Sequence, residues 1–254
     1  GHPYLPWGDQ VGMNEAGLVF DGLVIQPKDV APMPGRTRTD FGELTNRMLE
    51  RCHGVPEAVA YLQQFDLAFL HQSMLFLADA QGRYAVVQND TIVTGDEPHF
   101  AVGNWRLDHV TDHEAIPIPR LQEGRDLLEA GIAPGLDGAW SVLESMGACR
   151  AFLDNGTFFS TLFEPDSGKV HLAFYHDYDH RITFDLQEEL AKGEHTLNLP
   201  SLFPPNESFQ ALQAYRTPFH DRWLFWGLMG WGGLAVLWGF ILGVWVLVNG
   251  VRRL

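Results

Sequence analysis

Two glycines, Gly12 and Gly17, bracket the turn Met13-Asn14-Glu15-Ala16, and the chain then runs directly into Val19-Phe20-Asp21-Gly22-Leu23-Val24-Ile25. Glycine permits the backbone excursions of a tight turn, and a mostly apolar run of this length after a turn reads as a buried strand. Asn14 is thereby presented by rigid backbone at the mouth of a strand, a place suited to a hydrogen-bond donor. A chain that starts from such a unit has a sheet to bury, and the patterns that follow indicate how.

Residues 27 to 39 form a Pro-, Gly- and Arg-bearing loop. From Asp40 the period changes: Asp40 is a candidate N-cap with Glu43 three residues later, Phe41, Leu44, Met48 and Leu49 recur at helical spacing, and Gly54 is the stop. Pro56 opens a second helix through Phe65, at a position where its missing N–H costs little. Ser73–Asp79 and Tyr84–Gln88 flank Gln81-Gly82 as a hairpin, and runs at 91–94 and 99–104 are expected to extend the same sheet. Helices are expected at 119–130 and 137–146. Further strands are expected at 151–153, 157–163, 169–176 and 181–185, separated by Asn155-Gly156, Ser167-Gly168 and Tyr178-Asp179. Strands, two helices, strands, helices and strands in that order describe an α+β domain in which helices cover antiparallel sheets.

The chain has 254 residues and 46% hydrophobic residues, ample for a packed core. Seventeen basic against 32 acidic residues give a net charge of −15, which argues against nucleic acid as a partner. Only Cys52 and Cys149 are present, with no CxxC pair, so no zinc or redox motif is called for. Residues 191–222 read as a linker or domain tail. Trp223 to Val248 then holds no charged residue, and about 20 apolar residues cross a bilayer core. The expectation is a single transmembrane helix over 223–249 and a basic tail over 250–254. Arg252 and Arg253 outweigh Arg222, which places the C-terminus in the cytoplasm and the main domain in the periplasm or outside. Ala235, Gly239 and Gly243 recur every four positions and would permit helix–helix self-association.

The segment Gly12-Met13-Asn14-Glu15-Ala16-Gly17-Leu18 resembles the opening signature of the N-terminal-nucleophile (Ntn) amide hydrolases related to choloylglycine hydrolase, penicillin V acylase and the acyl-coenzyme A:6-aminopenicillanate acyltransferases. The resemblance continues in order through Leu49–Val59, Phe76–Val86, Phe100–Asn104, Pro119–Leu128 and Gly156–Phe163, covering about residues 8 to 190. It implies an αββα sandwich of two antiparallel sheets over residues 1–190, and cleavage of a linear amide in a small-molecule acyl amide. The nucleophile would be an N-terminal cysteine, with its own α-amino group as base and no cofactor or metal. The same acyl-enzyme could pass its acyl group to an amine, as an acyltransferase. The third reading is an anchored binding or sensing domain without catalysis.

The resemblance also implies site residues. Asn14 and Asn104 match positions that supply or organise oxyanion donors, and amides suit that task because they donate without a charge to desolvate. Arg120 resembles the late active-site arginine, although Arg125 competes for the role and Pro119 stands where a small polar residue is expected. The nucleophile itself is expected upstream of Gly1, because the chain opens Gly1-His2-Pro3 with neither an initiator Met nor a secretory segment. Cys52 falls inside a helix and Cys149 at the start of a strand block, so both read as structural and the chain as written is expected to be inactive alone. His171, His176 and His180 with Asp177 and Asp179 read as a polar hairpin tip in preference to a metal site.

Overall fold

The computed structural model describes residues 10–109, 116–133, 135–147, 157–215, 226–227 and 230–232. The chain divides into two compact units, Gly1–Pro204 and Pro205–Leu254. In the first, β1 (Val11–Met13), β2 (Val19–Val24), β3 (Ser73–Ala78), β4 (Tyr84–Gln88) and β5 (Thr91–Gly95) form an antiparallel sheet in sequence order. A second antiparallel sheet, also in sequence order, holds β6 (Phe159–Glu164), β7 (Lys169–Phe174) and β8 (Asp177–Asp185). Helices α1 (Phe41–Arg51) and α2 (Val55–Leu62) interrupt the first sheet in sequence, and α3 (Pro119–Ala130) and α4 (Leu136–Ser145) lie between the sheets in sequence.

Strand alternation assigns the two faces of the first sheet. Leu18, Phe20, Leu75, Leu77, Ala85 and Val87 point to α1 and α2, where they bury Leu44, Met48, Val55 and Leu62. The opposite face presents Leu23, Met74, Phe76, Val86 and Val93. On the second sheet Ala173 and Tyr178 pack under Trp140 of α4, with Leu143 and Leu162 alongside. The result is a helix-backed sheet and a second sheet carrying its own helix. Gly17 joins them: its φ is +78°, and a Cβ there would lie 2.6 Å from Pro165 O in the turn between β6 and β7.

Helix α1 starts where its cap residue indicates, Asp40 accepting a hydrogen bond from Glu43 N at 2.9 Å. It stops earlier than Gly54, with Cys52 as the C-cap, and Gly54 instead precedes the first residue of α2. Pro56 occupies the first turn of α2 as expected. The expected strand over 99–104 does not form. Phe100 stacks on Tyr84 at 4.2 Å between ring centroids and lies near Phe76, so this segment covers the sheet face instead of lengthening its edge. The turn between β7 and β8 falls at Tyr175 and His176, with φ of 46° and 61°, and not at Tyr178-Asp179. Two left-handed residues in succession match the right-handed twist of a tight hairpin, and here neither is glycine. The expected strand at 151–153 lies outside the described residues.

The 191–222 tail contains more order than a linker: a 3₁₀ turn at Leu199–Leu202 and, in the second unit, a helix over Glu207–Tyr215. The expected transmembrane helix requires correction. Among the described residues no helix is long and apolar enough to cross a membrane. Most of Trp223–Val248, including Ala235, Gly239 and Gly243, lies outside the described residues, and the described helical pieces are only 226–227 and 230–232. Freedom from charge is a property of composition, whereas a span needs about 20 residues of unbroken helix. Among the described residues the fold class is the mixed two-sheet α+β architecture.

Candidate functional site

The free face of the first sheet borders a cavity of about 540 Å³. Val19, Asp21 and Leu23 of β2 with Phe76 and Ala78 of β3 form one wall, and Thr161 and Phe163 of β6 contribute a second. Leu121 and Leu128 of α3, Val142 of α4 and Met146 at its C-cap add apolar lining. Val102, Gly103 and Asn104 bring a polar edge, joined there by Arg120 at the start of α3.

Asn104 and Arg120 are in direct contact. Arg120 Nη2 donates to Asn104 Oδ1 at 2.7 Å, and Asn104 Nδ2 donates to Val24 O at the end of β2, at 2.9 Å. A guanidinium can only donate and a carbonyl can only accept, so these two partners fix which end of the Asn104 amide is which. The amide nitrogen has two hydrogens, and one remains beyond the bond to Val24. Arg125 lies five residues on, about 140° round the helix, where its Nη2 reaches Ala101 O at 3.5 Å. Of the two competing arginines, the cavity therefore takes Arg120.

The loop carrying Asn104 is held by Arg106, which is almost wholly buried. Its guanidinium donates to Gln26 O and His71 O, both at 3.2 Å, to Asn89 Oδ1 at 3.1 Å and to Asp108. Gln88 Oε1 accepts from Leu107 N at 2.9 Å. A buried arginine is tolerable only when its donors are used, and here they lock residues 104–108 onto β2 and β4. Burial around Asp108 is outweighed by Arg106 and Lys28, which hold its carboxyl well below the usual carboxylate range.

Asn14 does a different job from the one its position suggests. Its Nδ2 donates to Leu49 O at 2.8 Å and Cys52 O at 2.7 Å, and its Oδ1 accepts from Ala16 N and Leu18 N at 3.1 and 2.9 Å. Helix C-termini leave carbonyls without intrahelical partners, and Asn14 satisfies two of those of α1 while closing its own turn. Both amide hydrogens are spent, and Asn14 is not among the residues bordering the cavity. The expectation of an oxyanion donor at residue 14 gives way to a clamp between turn and helix.

Cys52 does not border the cavity. Cys52 is buried in the cluster on the helix-covered face of the sheet, and burial, reinforced by Glu57 and opposed by Arg51, pushes its thiol up. Cys149 lies outside the described residues. The three histidines do not converge: His171 bonds Thr183 at 2.8 Å, while His180 pairs with Asp177 at 2.9 Å. Among the described residues no cluster of three or more metal-ligating side chains occurs.

Asp21 was missed by sequence reasoning. Its register partners on the cavity face are Val11 and Phe76, with Val86 and Val93 next in the row. Burial lifts its carboxyl to about 6, opposed by the neighbouring Gly22 N–H. The signal was present as a lone carboxylate inside an apolar run: a strand paired on both sides and covered on both faces must bury whatever it carries.

Two antiparallel sheets with their own helices and a cavity at one face of the first make a fold similar to that of the Ntn hydrolases, a likeness that rests on solved structures. The chain is similar to a cysteine-to-alanine mutant of conjugated bile acid hydrolase from Clostridium perfringens, with a TM-score of 0.56, 16% identity, and 75% of this chain and 78% of that chain covered. It is also similar to an arginine-to-leucine variant of that hydrolase, with a TM-score of 0.54, 14% identity, and coverage of 74% and 76%. At these identities the likeness is one of fold. No protein-family description and no curated protein matches the chain.

Proposed function

We propose that this domain is built for cleavage of a linear amide, with the acyl portion of the substrate in the apolar cavity and the scissile carbonyl at the Asn104–Arg120 edge. The observation that carries the reading is the 2.7 Å contact between Arg120 and Asn104 at the polar edge of the cavity, in a fold shared with conjugated bile acid hydrolase. Arg120 holds Asn104 Oδ1, Val24 O takes one amide hydrogen, and the other is left to meet the oxyanion of a tetrahedral intermediate. The guanidinium beside it adds positive potential where negative charge develops.

The nucleophile in this reading is a cysteine at the mature N-terminus of the natural protein, ahead of Gly1. A thiol beside an unprotonated α-amine loses its proton near neutral pH, attacks the carbonyl and expels the amine, and water then releases the acid from the thioester. Acyl transfer to an amine would differ only in the last acceptor. The test uses the full-length natural protein with a panel of N-acyl amides, following amine release and labelling by iodoacetamide. The expected outcome is turnover abolished by the label and lowered about a hundredfold or more in Asn104→Ala, the scale for an oxyanion donor. Turnover that survives Asn104→Ala at full rate would remove Asn104 from the chemistry. An unlabelled, inert protein would leave a binding domain.

A further inference from the structure

Two polar atoms in the cavity wall lack any hydrogen-bond partner. Asp21 Oδ1 and Thr161 Oγ1 are both shut off from solvent and both unbonded, and both residues border the same cavity, one from each sheet. Apart from the Asn104–Arg120 edge, the wall is mostly hydrocarbon, with Val19, Leu23, Phe76, Leu121, Leu128 and Phe163 among its residues. Gly22 N–H, which lies next to the Asp21 carboxyl, is already given to Gln10 O at 2.7 Å. Arg120 gives one of its five N–H donors to Asn104 Oδ1, which places its guanidinium at the Asn104 edge of the cavity.

A carboxylate oxygen shut off from solvent with no partner is costly, and native structures rarely leave such an atom unless a water or a ligand completes the group. A ligand that is hydrocarbon throughout would seal Asp21 from water and raise that cost. An anionic ligand would add repulsion. A ligand whose apolar body ends in a protonated amine would neutralise the carboxylate, and an ammonium brings three N–H donors to a cavity in which Asp21 and Thr161 each carry an unmet acceptor. The net charge of −15 draws cations toward the molecule from a distance.

We propose that Asp21, assisted by Thr161, is the specificity-determining residue of this cavity, which accepts an apolar chain bearing a protonated amine. The inference names a substrate class for the site proposed above and rests on that cavity being the substrate's. Its test reads binding alone, so it succeeds or fails separately from amide turnover.

Isothermal titration at pH 8 compares hexylamine, 1-hexanol and hexanoate, three probes of matched chain length. Hexylamine is expected to bind at least about tenfold more tightly than hexanol, which is ~1.4 kcal/mol, and hexanoate more weakly than either. In Asp21→Asn, an isosteric change that removes a buried charge, the amine preference should fall to within about twofold while hexanol binding persists. Thr161→Val should weaken hexylamine by a few-fold and leave hexanol unchanged. Equal binding of amine and alcohol, failure of any amine to bind, or an amine preference that survives Asp21→Asn each overturn the proposal. Amine selectivity in a protein that turns over no amide would uphold it and sink the catalytic reading instead. Thermal unfolding of each variant confirms that the fold is intact.

Discussion

Asn14 shows how a single polar side chain can hold two elements together. Its four hydrogen bonds tie the β1–β2 turn to the last turn of α1, all of them to backbone groups. Replacing it by Ala strands two helix carbonyls and two turn amides, and at about 1 kcal/mol or more for each of the better-buried bonds the loss should reach roughly 2–4 kcal/mol. Urea unfolding of Asn14→Ala reads this directly, and hexylamine binding measured well below the transition should be unchanged. A variant as stable as the parent would return Asn14 to the list of candidate donors. Asp21 gives a prediction of opposite character. Its folded pKa of about 6 lies above the ordinary 3.8, so the proton favours the fold. The stabilisation is complete below about pH 4 and is lost as pH rises through 6, by up to ~3 kcal/mol. Asp79, whose burial is outweighed by hydrogen bonds from Arg83 and the Val55 amide, works the other way: it stabilises above its ordinary value and loses that contribution in acid. Subtracting the stability of Asp21→Asn from that of the parent isolates the first effect. The difference should be near zero at pH 4 and should favour the variant increasingly to pH 7. A difference that stays flat would mean that Asp21 is solvated in solution.

At the scale of elements, the tightest constraint is where the β1–β2 turn meets the turn after β6. Gly17 adopts φ +78°, and its missing Cβ leaves room for Pro165 O. Alanine there would meet both a left-handed backbone and a main-chain oxygen 2.6 Å away, in a turn that cannot give as a side-chain tip would. Gly17→Ala is expected to cost about 2–4 kcal/mol, measured as a lowered urea midpoint at constant slope. An unshifted midpoint would mean that the two sheets are not in register at this corner. By contrast Gly82, also at positive φ, faces open space, so its substitution carries the backbone term alone. The comparison separates glycines required by close approach from those required only by a turn.

For the first compact unit as a whole, what positions the cavity is the use of both faces of one sheet. One face is sealed by α1 and α2 through Leu44, Met48, Val55 and Leu62, and the other is covered only in part, leaving space between β2, β3, β6, α3 and α4. Much of this framework was legible locally. Caps, Pro at a helix start, Gly-bearing turns and the two periods marked α1 to α4 and β2 to β7 to within a few residues, because each of those signals acts within about one helical turn or one hairpin. The run 99–104 misled because strand-like alternation says that a face is apolar, not that an edge is free to pair. The resemblance pointed to Asn104 and Arg120 separately, and their contact at the cavity came only with the structure. The bonding of Asn14 could not be read from the chain, because it depends on which helix end lies above the turn; the lone carboxylate of Asp21 in an apolar run was visible, but not which face of β2 opens on a cavity. Periodicity and turn chemistry are properties of neighbours in sequence, whereas a hydrogen bond from residue 14 to residue 52, or two orphaned oxygens on separate sheets bordering one cavity, exist only once distant segments have packed.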